Sequence, residues 1–272
     1  MIDFFQAVVD HSFLQRALLV GLLASLACGI TGSYVVVKRM SFISGGIAHA
    51  VLGGMGIAYF FGAEPLIGAI PAAVLFALLI GSITLRSETG TGTDTAIGAV
   101  WAIGMAIGII FVYKTPGYAT NLFSYLFGNI LMVTHTDTLL LLILDGLIVT
   151  IVTLFYKSLL AVSFDVEFAR LQGVNVKLVY LTLLTLVALT VVVLVKVVGI
   201  VLVIALLTLP AALARQWTES LLKMMMLASV ATLLFIVGGI AVAYPYNLPA
   251  GATIVLVAGS VFLLSTAVRV GR

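Results

Sequence analysis

Stretches of about 20 residues with almost no charged side chain recur from one end of this 272-residue sequence to the other. A hydrocarbon core about 30 Å thick demands that length of helices rising 1.5 Å per residue. The chain is 63% hydrophobic and 8% charged, far from the balance of soluble domains. Barrel strands would appear as short alternating segments, whereas these runs are continuous. The expected class is all-α: a polytopic transmembrane helical bundle forming one membrane domain over residues 1–272.

Apolar runs between charges, prolines and polar clusters place spans near residues 14–37, 42–61, 66–85, 95–113, 137–156, 178–195, 197–214, 221–243 and 249–268. That makes about nine, with eight or ten as alternatives. The stretch 115–136 has polar ends and reads as interfacial or re-entrant, with a tenth span as the alternative. Lysine and arginine should collect in cytoplasmic loops. Ten of the 13 fall on one side of this scheme: Lys38, Arg39, Arg86, Lys157, Arg170, Lys177, Arg215, Lys223, Arg269 and Arg272. Only Arg16, Lys114 and Lys196 fall on the other, so the N-terminus is expected outside and the C-terminus in the cytoplasm. The basic residues sit at segment ends rather than in a patch, which gives no reason to expect a nucleic-acid partner. The opening "MIDFFQAVVDHSF" lacks a basic n-region, so no removable signal peptide is expected.

Chemistry-bearing residues inside the spans are few. In "SGGIAHAVLGG", Gly45, His49 and Gly53 share one helix face at four-residue spacing, beside a stripe of Gly46, Ala50, Gly54 and Ala58. Small residues at this spacing either admit a neighbouring backbone or leave a passage beside the imidazole. His49 is expected about 10 Å below the cytoplasmic end of its helix, where its nitrogens need partners. One reading is packing glue between helices; the other is a ligand on a transport path, and imidazole suits first-row metals. Asp145, midway along "LLLLILDGLIVT", is the second candidate ligand or proton relay, because a lone carboxylate in lipid is costly. Cys28 and Met105 read as core, and Asp94 as a helix-start residue. His135, beside Asp137, and His11 read as solvated outer-surface residues.

The longest cytoplasmic loop holds a short amphipathic helix, expected over about 163–176. Asp165 caps it, Gly173 ends it, and Phe164, Phe168 and Leu171 form its apolar face. That face either rests on the membrane interface or docks in a partner's groove. No phosphate-cradling Gly-x-x-x-x-Gly-Lys-Ser/Thr loop occurs, so the chain is not expected to hydrolyse ATP. Neither Gly-x-Ser-x-Gly nor His-Glu-x-x-His is present to suggest an intramembrane enzyme.

"EFARLQG" at Glu167 to Gly173 resembles the Glu-Ala-Ala-x-x-x-Gly loop by which permeases of ATP-binding-cassette importers dock on their ATPases, with Phe168 in place of the first alanine. "FLQRALLVGLLASLACGITGSYVVVKRMSFI", "DTAIGAVWAIGMAIGII", "VGIVLVIALLTLPAALAR" and "LPAGATIVL" extend the likeness in order over nearly the whole chain. Together they resemble the zinc/manganese/iron class of metal-importer permeases, the ABC-3 class. The resemblance implies a multi-pass protein of the cytoplasmic (inner) membrane that works as a homodimer. It further implies two cytoplasmic ATPase subunits that bind the ATP, an extracytoplasmic metal-binding protein, and no cofactor beyond the transported ion. Phe164, Asp165, Glu167, Phe168, Ala169 and Gly173 would then couple the permease to its motor. His49 matches the family's metal-ligand pattern, but the aspartate expected four residues earlier is Gly45 here. Loss of that hard oxygen ligand favours zinc over manganese or iron. A motor-free secondary cation transporter or channel using His49 and Asp145 is the alternative.

Overall fold

The computed structural model describes residues 2–86, 93–116, 128 and 130–270. Every regular element among them is helical. In chain order these are α1 (Ile2–Asp10), α2 (Ser12–Val37), α3 (Ser41–Ala50), α4 (Leu52–Phe60), α5 (Pro65–Arg86), α6 (Thr93–Lys114), a single 3-10 turn at Ile130–Met132, and α7 (His135–Leu154). There follow α8 (Tyr156–Phe164), α9 (Val166–Leu171), α10 (Val176–Val198), α11 (Ile200–Arg215), α12 (Leu221–Ala243) and α13 (Ala250–Val270).

Eight stretches among the described residues are long and apolar enough to cross a bilayer, and each covers one expected span. The remaining expected span, 197–214, is the shorter apolar helix Ile200–Arg215, which reaches about 24 Å at 1.5 Å per residue. It starts late because Gly199, at φ +83° and ψ 162°, separates it from α10. Only glycine takes that conformation cheaply. Pro210 lies inside α11 without ending it, and Pro71 does the same in α5. The expected 42–61 span is divided into α3 and α4 at Val51. There the backbone bonds Val51 N–H to Ile47 O (3.0 Å) and Met55 N–H to Val51 O (3.1 Å) carry the helical ladder through. Of the 115–136 stretch, expected as interfacial or re-entrant, residues 117–127 and 129 lie outside the described residues.

The chain divides into two compact units: residues 1–36, 124–148 and 194–272 form unit 1, and residues 37–123 and 149–193 form unit 2. In unit 1, α2 packs through its small residues. A Cβ at Gly21 would meet Ile236 of α12 at 2.8 Å, and one at Gly29 would strike the Ser229 backbone at 2.5 Å. The same holds at Gly32, which abuts Leu207 of α11. Backbone approach of this kind is how helices associate where lipid removes the hydrophobic drive between them. At one end of this unit, Gln216 ties α11 to α13: it donates to Thr266 Oγ1 (3.0 Å), accepts from Ser265 Oγ (2.8 Å), and its carbonyl accepts from Arg269 (2.6 Å).

Unit 2 is organised the same way around α3 and α4. Gly53 faces the Gly104 carbonyl, where a Cβ would lie 2.8 Å away, and Gly56 faces Gly108 of the same helix, α6. On the other side, Gly54 of α4 and Gly68 of α5 abut one another. These glycines therefore serve helix contact, and a Cβ added at Gly53 would meet the backbone of Gly104.

Candidate functional site: a histidine within an apolar span and a doubly capped loop helix

His49 sits in the last turn of α3, half-buried in unit 2. Its ring stacks on the indole of Trp101 from α6, with centroids 4.6 Å apart and planes 17° from parallel. The glycine contacts make this possible, since α3 and α4 lie close enough to α6 for an imidazole to reach its neighbour's side chain directly. Trp101 is itself held: Phe42 packs edge-on against it at 6.4 Å, and its Nε1–H donates to Met105 Sδ at 2.8 Å. The imidazole Nδ1 is buried and has no hydrogen-bond partner. A polar nitrogen left unpaired at this depth is costly unless something visits it. Gly45, one turn earlier on the same helix, is half-buried. The indole was not anticipated from the sequence. A tryptophan in the middle of an otherwise small-residue span, four residues before Met105, was the available signal.

Asp145 belongs to unit 1 and His49 to unit 2. Asp145 is 4% exposed on α7, and neither carboxylate oxygen has a hydrogen-bond partner. Among the described residues no three of His, Cys, Asp and Glu are grouped so as to hold a metal ion.

Near the start of α7, beside His135, stands a charged pair that the sequence reading did not identify. Asp137 is 7% exposed and lies 3.0 Å from the ammonium of Lys196, in the last turn of α10. Its Oδ2 accepts from the Thr134 amide (2.9 Å) and hydroxyl (2.6 Å), and its own amide donates to Thr134 Oγ1 at 3.3 Å. This reciprocal pair is a capping box opening α7. His135 beside it is exposed.

The expected cytoplasmic helix over 163–176 is shorter in the structure. Phe164 closes α8, and α9 runs only from Val166 to Leu171. Both ends are capped. Asp165, in extended conformation, accepts from the Phe168 amide at 2.9 Å. At the other end Gly173 adopts φ +75°, its amide donates to Arg170 O (3.0 Å), and the Val174 amide donates to Ala169 O (3.0 Å), which is a Schellman closure. Ala169 is fully buried, whereas Phe164, Phe168 and Leu171 are 60%, 52% and 87% exposed. Glu167 is exposed as well. The apolar face is therefore unused within the described chain. Lys38 anchors the approach to this element: its ammonium donates to Val162 O at 3.0 Å and lies 5.9 Å from the Tyr180 ring centroid. Burial holds that ammonium below the ordinary lysine range.

Comparison with known proteins places this architecture. The model of the ABC 3 transport family matches residues 10–269. An uncharacterized membrane protein of Synechocystis sp. is 44% identical over 99% of this chain and 95% of its own. The manganese transport system membrane protein MntC of Listeria monocytogenes is 37% identical over 96% of this chain and 92% of its own. Among solved structures, PsaBC from Streptococcus pneumoniae, in complex with Fab, superposes with a TM-score of 0.86 at 34% identity, covering 97% of this chain and 95% of that one. The chain belongs to the ABC 3 transport family, the metal-importer permease family its motifs resemble, and is a multi-pass protein of the cytoplasmic membrane.

Proposed function

We propose that this chain forms the ion path of an ATP-driven importer for a divalent transition metal, with zinc as the favoured cargo. The observation that carries this reading is His49. It is an intramembrane imidazole braced on Trp101, with a buried nitrogen lacking any partner, in a chain of a transport family. Such a group is costly as packing alone and useful as a ligand that must let go. Hydrolysis of ATP belongs to separate subunits in this family, and no phosphate loop occurs here.

The cargo preference rests on the ligand set. MntC and ScaB, at 37% and 33% identity, carry manganese in their names. This chain has Gly45 one turn before His49, so the helix offers nitrogen without a hard oxygen beside it. Zinc accepts such a site more readily than manganese does. A second copy of the chain would complete the path. A cytoplasmic ATPase dimer would grip the exposed Phe164, Phe168 and Leu171 face, and an extracytoplasmic metal-binding protein would deliver the ion.

The test is uptake into proteoliposomes holding this chain and its ATPase, with zinc, manganese and iron offered in parallel. The expected result is ATP-dependent zinc uptake, at least tenfold lower in His49→Ala. Uptake indifferent to the ATPase would instead support a motor-free cation carrier.

A further inference from the structure

Resting on the transport reading above, we infer that Lys38 is a positioning residue for transport: it ties the loop helix α9 to α3, and so carries a displacement of the docking element to His49.

Lys38 lies in the turn between α2 and α3, and its ammonium donates to Val162 O at 3.0 Å. Val162 is in the last turn of α8, whose final carbonyls have no partner within their own helix. A positive charge there also suits the negative end of the helix dipole. An ordinary surface lysine sends its ammonium into water. This one is half-buried and held on a single carbonyl, its one hydrogen bond among the described residues. Holding so long a side chain in one place costs rotamer entropy, so the bond fixes a relationship between two elements rather than merely occupying a surface. The Tyr180 ring of α10, with its centroid 5.9 Å from the ammonium, flanks the contact.

Both ends of the tie are short and stiff. On one side Val162 is followed by Ser163, which is buried, then by Phe164 and by Asp165, which caps α9 through the Phe168 amide. Gly173 closes the far end of α9, so that helix moves as a unit. On the other side Arg39 takes left-handed backbone, φ +56°, which a residue with a side chain keeps only where its surroundings hold it. Met40, 2% exposed, comes next, and its carbonyl accepts from the Ser44 amide at 2.9 Å as α3 begins. His49 stands in the last turn of α3, about 12 Å from Ser41 at 1.5 Å per residue. All of these residues belong to unit 2.

Lys38 thus joins two elements that the chain itself leaves far apart, by one bond that can be removed without altering either. A motor that displaces α9 displaces the end of α8. The ammonium then draws the turn at Arg39 with it, and α3 follows as a rod that re-aims the imidazole at its far end. Without the bond, α9 moves and His49 does not, so ATP is spent without an ion being carried.

The permease and its ATPase are reconstituted in proteoliposomes, and zinc uptake and phosphate release are measured on the same sample. Lys38→Met keeps the apolar stem and removes the donor, whereas Lys38→Arg keeps a cationic donor. For Lys38→Met the expected result is ATP hydrolysis within about twofold of the parent protein and zinc imported per ATP about fivefold lower. Lys38→Arg is expected to recover most of that ratio. A second reading comes from Trp101, stacked on His49. Trp217→Phe leaves Trp101 as the single tryptophan, and fluorotryptophan labelling of the permease gives it one fluorine resonance in nanodiscs. Addition of the ATPase is expected to move that resonance in the parent and in Lys38→Arg, and to leave it in place in Lys38→Met. Thermal unfolding shows which variants are folded, and Lys38→Gln, uncharged and one bond too short, replaces Lys38→Met if the latter is not. An equal fall of uptake and hydrolysis, or a resonance that stays still in the parent or moves alike in Lys38→Met, overturns the tie. ATP-driven, His49-dependent uptake as well coupled in Lys38→Met as in the parent sinks this inference alone. A Lys38-dependent movement of the Trp101 resonance in a permease that imports no metal sinks the transport reading and leaves the tie standing.

Discussion

The imidazole of His49 and the indole of Trp101 lie face to face, 4.6 Å between centroids. Aromatic pairs of this kind are worth about 0.5–1.5 kcal/mol beyond the area they cover. More to the point, the stack fixes the plane of the imidazole, and with it the direction in which its ring nitrogens present their lone pairs. A ligand held to one orientation gives a defined site, while the same ring free to rotate gives a poor one. Trp101→Phe keeps an aromatic face and is expected to retain most metal uptake. Trp101→Ala is expected to lower uptake about tenfold with little change in expression, a loss of about 1.4 kcal/mol. Initial rates of uptake in proteoliposomes check both.

Gly53 and Gly104 bring two backbones into contact, so neither position tolerates a side chain. Gly53→Val would force α4 and α6 apart, at a cost of about 1–3 kcal/mol from overpacking. The expected readout is a lower midpoint of thermal unfolding in detergent. Gly98, whose surroundings are open and whose backbone is not in the positive-φ region, provides the comparison for steric crowding.

The Lys196 and Asp137 pair is largely buried, and its two halves depend on each other. Removing one takes the opposite charge away from the other, a loss that reaches about 3–5 kcal/mol where a pair is fully buried. Asp137→Asn and Lys196→Met are each expected to lower thermal stability. The double variant is expected to recover part of the loss, and a double-mutant cycle of unfolding midpoints measures how much.

Membrane orientation is open to a direct check. Phe61 and Gln172 are both exposed and lie on opposite sides in the span scheme. In a Cys28→Ala background, Phe61→Cys is expected to react with an impermeant maleimide added outside cells. Gln172→Cys is expected to react only after permeabilisation. The reverse pattern would invert the topology read from the lysines and arginines.

Much of this architecture was legible because lipid imposes a simple rule on composition. Nine apolar runs were readable, and eight are helices long enough to span among the described residues. The exception, Ile200–Arg215, was shortened by Gly199, whose positive φ no hydropathy count registers. Asp165 and Gly173 were readable as caps since capping is local chemistry. The length of α9 was overread, because Phe164 continued the apolar spacing while belonging to α8. Two contacts were out of reach for the same reason: Trp101 and Lys196 find their partners on helices distant in sequence, and periodicity carries no information about which helix faces which. Lys196 in particular counted only as a stray positive charge until Asp137 was found beside it.

Caps at both ends of α9 have a mechanical consequence. An element that must order itself when a motor arrives loses conformational entropy at the moment of docking and yields under load. Six residues locked by Asp165 at the front and Gly173 at the rear are already in their final shape. Gly173→Ala, strained by about 1–2 kcal/mol, is therefore expected to leave the purified permease folded while weakening its stimulation of ATP hydrolysis, as measured by phosphate release. A stiff cleat transmits a small displacement as motion, where a soft one would absorb the stroke.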